Sequence, residues 1–235
     1  MGETIHIAAR DGSGQFSAYS TQPATGPAPV IVVIQEIFGV NAGIRAMCDT
    51  WTQHGFAAIA PDLFWRQKPN VQLTDQTEAE WQEAFGYYNG FDFDKGVEDI
   101  EATIKHARTL AHGNGMVGVV GYCLGGHMAF LSATRTDTDA SVSYYGGGID
   151  QRLQESHAIS RPLMLHLAVE DKFIPADAQK AIHAALDDHP RVTIHDYPGV
   201  DHAFARVNGI HRDEAAANLA DKRTLEFFRE HLVKM

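Results

Sequence analysis

The chain has 235 residues, 44% hydrophobic and 21% charged, ordinary proportions for a folded protein and a length suited to one domain over residues 1–235. A formal net charge of -11, with no Lys/Arg cluster, argues against nucleic acid and anionic membrane as partners, and an anionic ligand would need a local arginine. Cys48 and Cys123 are too few for a disulfide framework, Met1–His6 carries no basic or apolar leader, and no apolar run reaches about 20 residues; the expectation is a cytoplasmic protein acting on a small molecule, as a monomer or weak homo-oligomer.

In chain order, the first ~25 residues read as a short antiparallel start around the Asp11-Gly12-Ser13-Gly14 turn. Val30-Ile31-Val32-Val33-Ile34 is a continuous β-branched run, the pattern of a strand buried on both faces. Phe56–Ala60, Met116–Val120, Val142–Tyr145, Leu163–Val169 and Val192–His195 read alike. From Val97 to Ala111 the apolar residues Val97, Ile100, Ile104, Ala107 and Ala111 recur at steps of three and four, with Glu98, Asp99, Glu101, Lys105 and Arg108 outward; an amphipathic helix is expected. A last helix is expected from about Asp213 to Leu232, burying Leu225, Phe228 and Leu232. Strands alternating with helices imply an α/β fold, a mostly parallel sheet covered on both faces. The polar and aromatic connection from Pro61 to Trp81 is too short for a cap domain but long enough to border a site.

One segment carries chemistry. Gly121-Tyr122-Cys123-Leu124-Gly125-Gly126 follows the Met116–Val120 strand and precedes the apolar Met128–Leu131 segment. This is Gly-x-nucleophile-x-Gly, a sharp strand-to-helix turn that exposes its central side chain at a helix N-terminus, with a thiol where a hydroxyl is usual. Outside that pattern a free cysteine is most often a small buried hydrophobe, and Cys48 is read so. An acid and a base follow in the order this architecture uses. Asp171 comes just after the Leu163–Val169 strand, ahead of Glu170 and Asp201 as candidates for orienting the base. His202 lies in the Tyr197–Phe204 loop between the last strand and last helix; among 13 histidines, position selects it, and His127, His166, His183, His189 and His195 read as core or surface residues. Cys123, Asp171 and Glu36 all fall at strand C-termini, where ligands bind in such sheets. There is no Cys-x-x-Cys and no His-x-x-x-His pair with a third ligand, so no metal is expected.

Several motifs in register carry a family resemblance: Gln35-Glu36-Ile37-Phe38-Gly39-Val40-Asn41, Ala60-Pro61-Asp62-Leu63, Gly118–Gly126, Tyr144-Tyr145-Gly146 and His202-Ala203-Phe204-Ala205-Arg206. With these the chain resembles the dienelactone hydrolase (carboxymethylenebutenolidase) family over nearly its whole length. The resemblance implies an uncapped α/β-hydrolase fold, the triad Cys123, Asp171 and His202, no cofactor, and hydrolysis of a small carboxylated enol-lactone to maleylacetate during degradation of chlorinated aromatics. It implies that Glu36 hydrogen-bonds Cys123 and restrains the thiol, since a neighbouring carboxylate disfavours a thiolate. The backbone N–H groups of Ile37 and Leu124 are the expected oxyanion hole.

One departure bears on the substrate. The family pattern grips the substrate carboxylate with two arginines; Arg206 matches one, but Trp81 occupies the other position, and an indole offers no bidentate fork. Either Arg206 suffices, or Arg66 compensates, or the substrate differs. Phe38, Phe85, Tyr88, Tyr145 and Phe173 are the further expected substrate contacts. A broad carboxylesterase or thioesterase on the same scaffold is the alternative reading. A non-catalytic binding protein, or a thiol redox sensor with Cys48 as resolving partner, is more remote.

Overall fold

The β-branched run forms β3 (Ala28–Ile34), and all seven of its residues are buried. A strand without an exposed face must lie inside a sheet sandwiched by helices. In this computed structural model, which describes residues 2–233, β3 lies between β4 (Ala57–Pro61) and β5 (Gly113–Tyr122), parallel to both. From β5 the parallel sheet continues through β6 (Ala140–Tyr144), β7 (Leu163–Ala168) and β8 (Val192–Tyr197). The opening turn joins β1 (Glu3–Ala8) to β2 (Gln15–Thr21), an antiparallel pair attached beyond β4. The order is β1-β2-β4-β3-β5-β6-β7-β8.

The chain leaves β3 to build β4, then crosses back to build β5 on the other side of β3. Connections therefore diverge at the C-terminal ends of β3 and β5, and a crevice opens there. Glu36 follows β3 by two residues and Cys123 follows β5 directly. This is an α/β-hydrolase fold, with no cap domain among the described residues.

Among the described residues six helices cover the sheet: α1 (Ala42–Gln53), α2 (Glu78–Asn89), α3 (Phe93–Arg108), α4 (Leu124–Arg135), α5 (Ala176–Leu186) and α6 (Glu214–Leu232), with a 3-10 helix at Ile149–Ala158. α1 and α6 share one face, where Trp51 meets Phe228 edge-on at 5.4 Å; α3 and α4 pack together on the sheet, with α3 against β3–β5 and α4 against β5 and β6. The amphipathic helix starts earlier than its apolar period suggests, because Asp92 caps it by accepting from Asp94 and Lys95 N–H, and it stops at Arg108 rather than Ala111. Asp213 caps α6, accepting from Ala216 N–H at 2.9 Å; replacing such a cap by alanine costs about 1 kcal/mol. Phe228 and Leu232 are buried as expected, but Leu225 is only half-buried. Ala217, Ala220, Thr224, Phe227 and Phe228 form the inward face instead. Among the described residues no helix is long and apolar enough to cross a membrane.

Candidate active site

Cys123 sits where β5 breaks into α4, at φ 55° and ψ -113°. An L-residue held there stores roughly 1–3 kcal/mol of strain, so the surroundings must enforce it. They do. A Cβ on Gly121 would collide with the Gly125 carbonyl, one on Gly125 with the Ile34 and Gln35 carbonyls, and one on Gly126 with the Tyr144 carbonyl and the Gly146 backbone. The Cys123 N–H donates to the Tyr144 carbonyl at 3.1 Å, and its carbonyl accepts from Gly126 and His127 N–H. Leu124 is the first residue of α4, so its N–H has no intrahelical acceptor. Ile37 and Leu124 both line a cleft of about 200 Å³ into which Cys123 opens.

Asp171 and His202, 31 residues apart, meet at the same sheet edge. His202 Nδ1 donates to Asp171 Oδ2 at 2.8 Å, with Oδ1 at 3.1 Å. Asp171 is fixed by the Phe173 and Ile174 N–H groups, both donating to Oδ1. Asp201 instead accepts from the backbone N–H groups of Lys172 and His202 and pairs with the Lys172 ammonium, which leaves it off the imidazole; Glu170 is exposed. Burial opposes charge on His202, but the Cys123 thiolate and the Asp171 bond outweigh burial and hold its pKa up at about 10. With Nδ1 committed to Asp171, Nε2 is the nitrogen left for proton transfer.

Glu36 does not face the thiol. Its carboxylate accepts from Arg206, Nε at 2.6 Å and Nη2 at 3.2 Å, and a second carboxylate, Asp75, takes Nη1 at 2.8 Å. All three side chains are at least nine-tenths buried, and the guanidinium pairs with both acids. The expected Glu36–Cys123 contact is thus replaced by an ion pair. No sequence motif marks Asp75, whose bond to Arg206 spans 131 residues. It also accepts from Ile210 N–H, and its backbone carbonyl accepts from Trp81 Nε1 at 3.0 Å.

Trp81, Phe85 and Tyr88 lie on one side of α2 and line the cleft, facing Phe173 and His202. Gly147, Gly148 and Gln151 complete the lining; they come from the turn after β6 and the 3-10 helix, which no sequence pattern pointed to. Two expected contacts are corrected. Phe38 is 1% exposed and supports the cleft from behind, edge-on to Trp81 at 5.0 Å and 4.9 Å from the Arg206 guanidinium. Tyr145 is 0% exposed, held at φ 39°, with its ring 5.1 Å from that of His202. Both are buried and buttress the site, off the lining of the cleft that Cys123 opens into. Arg66 is engaged elsewhere, by Asp99 at 2.8 Å and Asp11 at 3.1 Å, so it supplies no cation here. His166 is a core residue bonded to Tyr197 and Thr224, and His183 is held by Asp187 and Asp196. His127 packs on Phe93, and burial pushes its pKa down to about 4.

A cysteine on a nucleophile turn, an imidazole tied to a carboxylate, and a cleft at the switch point of the sheet define a hydrolase of the α/β-hydrolase class. The family is shown by comparison: residues 16–232 match the model of the dienelactone hydrolase family, and the chain belongs to it. It is 48% identical to a protein of Azospirillum brasilense over 97% of this chain and 98% of that one. It is 40% identical to the carboxymethylenebutenolidase of Pseudomonas putida over 96% and 95%. A crystal structure of a Klebsiella pneumoniae chain superposes with a TM-score of 0.83 at 24% identity, covering 98% of this chain and 99% of that one, a likeness of fold.

Proposed function

We propose that this protein hydrolyses small enol-lactones and activated esters through a thioester on Cys123. The observation that carries the reading is the 2.8 Å bond from His202 Nδ1 to Asp171 beside a cysteine held at φ 55° over an open cleft. The sulfur, as thiolate, adds to the lactone carbonyl, and the oxygen that gains charge is held by the Ile37 and Leu124 N–H groups. The ring C–O bond then breaks; the leaving enolate takes a proton and becomes a ketone, while the acyl group stays on sulfur. His202 removes a proton from water, hydroxide adds to the thioester carbon, and the thiolate departs. On the carboxymethylene lactones that the family name denotes, the product is maleylacetate. No step calls on a cofactor.

An enolate or phenolate leaves with little acid assistance, so activated esters suit this thiol and alkyl esters and amides do not. The cleft's aromatic wall and exposed Phe173 support a second reading on the same machinery, a broad carboxylesterase or thioesterase. A redox-sensor reading is disfavoured because Cys48, the candidate resolving thiol, is buried and its pKa pushed well up. Free thiols and an acidic chain support a reducing, cytoplasmic setting. The test is turnover of the cis and trans carboxymethylene lactones and an aryl ester by wild type and Cys123→Ala. Loss of all three activities in the variant is expected; retention of most of the lactone activity would exclude Cys123 as nucleophile.

A further inference from the structure

Arg206 is the one lysine or arginine among the described residues lining the cleft. Its three nitrogens are already bonded, two to Glu36 and one to Asp75. Two carboxylates against one guanidinium leave this buried trio with a net negative charge. Cys123, His202 and Asp171 carry another, wherever the proton between sulfur and imidazole resides. The position across from the nucleophile that could have held a second cation is Trp81, whose N–H is spent on the Asp75 carbonyl. Its ring packs against that of Phe85 in a tilted arrangement at 5.6 Å and lies 5.8 Å from the Arg206 guanidinium. A substrate carboxylate entering here meets two like charges and an apolar wall. Displacing Glu36 or Asp75 from Arg206 would strand a buried carboxylate, which costs as much as the new pair contributes.

We infer that Asp75 and Trp81 set the charge preference of this hydrolase, directing it to uncharged esters and lactones with a flat or apolar group against Trp81 and Phe85, in preference to carboxylated ones. The inference rests on the proposed esterase chemistry and specifies its substrate class. Phe85, Tyr88 and Phe173 give the group packing area, Gln151 one neutral polar contact.

The test compares kcat/KM for a carboxymethylene butenolide and for its methyl ester, which keeps the lactone and removes the charge. Wild type should favour the methyl ester by about tenfold or more at low salt, and the gap should shrink as ionic strength rises. In Asp75→Asn, which retains an acceptor for Ile210 N–H, and separately in Trp81→Arg, the ratio should move about tenfold toward the carboxylated lactone. The wild-type salt series stands even where a variant folds poorly. Turnover of both lactones with the carboxylated form equal or preferred would overturn the inference and leave the esterase reading intact. Turnover of neither would remove the esterase reading and this inference together.

Discussion

Glu36 offers both carboxylate oxygens to Arg206, at 2.6 and 3.2 Å, although it leaves β3 within the same crevice as Cys123. The pair is buried, so neither charge has water to fall back on. Glu36→Gln keeps the shape and one acceptor but deletes the charge, and should lower stability by about 1–3 kcal/mol, read from urea unfolding. The same variant should leave the rate of Cys123 alkylation by iodoacetamide within about threefold of wild type, because the carboxylate is not on the sulfur. An acceleration of tenfold or more would mean that Glu36 restrains the thiol after all.

The Cys123 sulfur and the Asp171 bond hold the His202 pKa up at about 10 in the folded protein, against about 6.5 in an unfolded chain. Because the folded value is raised, the stability it contributes is fully present below pH 6.5 and fades as pH climbs through 10. The Cys123 thiolate is the largest contributor that raises it. In Cys123→Ala the imidazole pKa should therefore fall by more than about one unit, measured by NMR of the ring nitrogens. An unchanged value would show that sulfur and imidazole are not in contact.

Asp171→Asn should fold, since the amide oxygen can still accept from Phe173 and Ile174 N–H. Its effect is on the tautomer of His202: an amide donor favours the proton on Nε2, the wrong nitrogen for a base. A drop in kcat of about 10²–10⁴ is expected, with KM little changed.

Two glycines separate strain from space. Gly126→Ala would drive a methyl group into the Tyr144 carbonyl, so loss of soluble, folded protein is expected. Gly86 lies exposed within α2 with nothing within 4 Å of a Cβ. Gly86→Ala should raise the unfolding free energy by about 0.5–1 kcal/mol, seen as a higher melting temperature.

The parallel sheet was legible because strands buried on both faces leave β-branched runs that need no partner to be recognised, β3 above all. The nucleophile turn was legible for a steric reason: only glycines clear the carbonyls around Gly121, Gly125 and Gly126. What stayed hidden depends on pairing across distance. Asp75 stands in an unremarkable Thr74-Asp75-Gln76 stretch and gains its role only from Arg206. The direction of Glu36 was decided by that same guanidinium, and α2 escaped notice because Trp81, Phe85 and Tyr88 face a cleft and leave only Ala84 buried in the helix. Aromatic residues four and three apart were the signal that could have revealed it.

Rapid quenching during turnover of an activated ester, followed by intact-mass measurement and peptide mapping, should show one acyl group on the peptide carrying Cys123, accumulating further when His202 is replaced by alanine. Turnover with no acylated protein in either form, or an acyl group mapped to any other residue, would contradict the account.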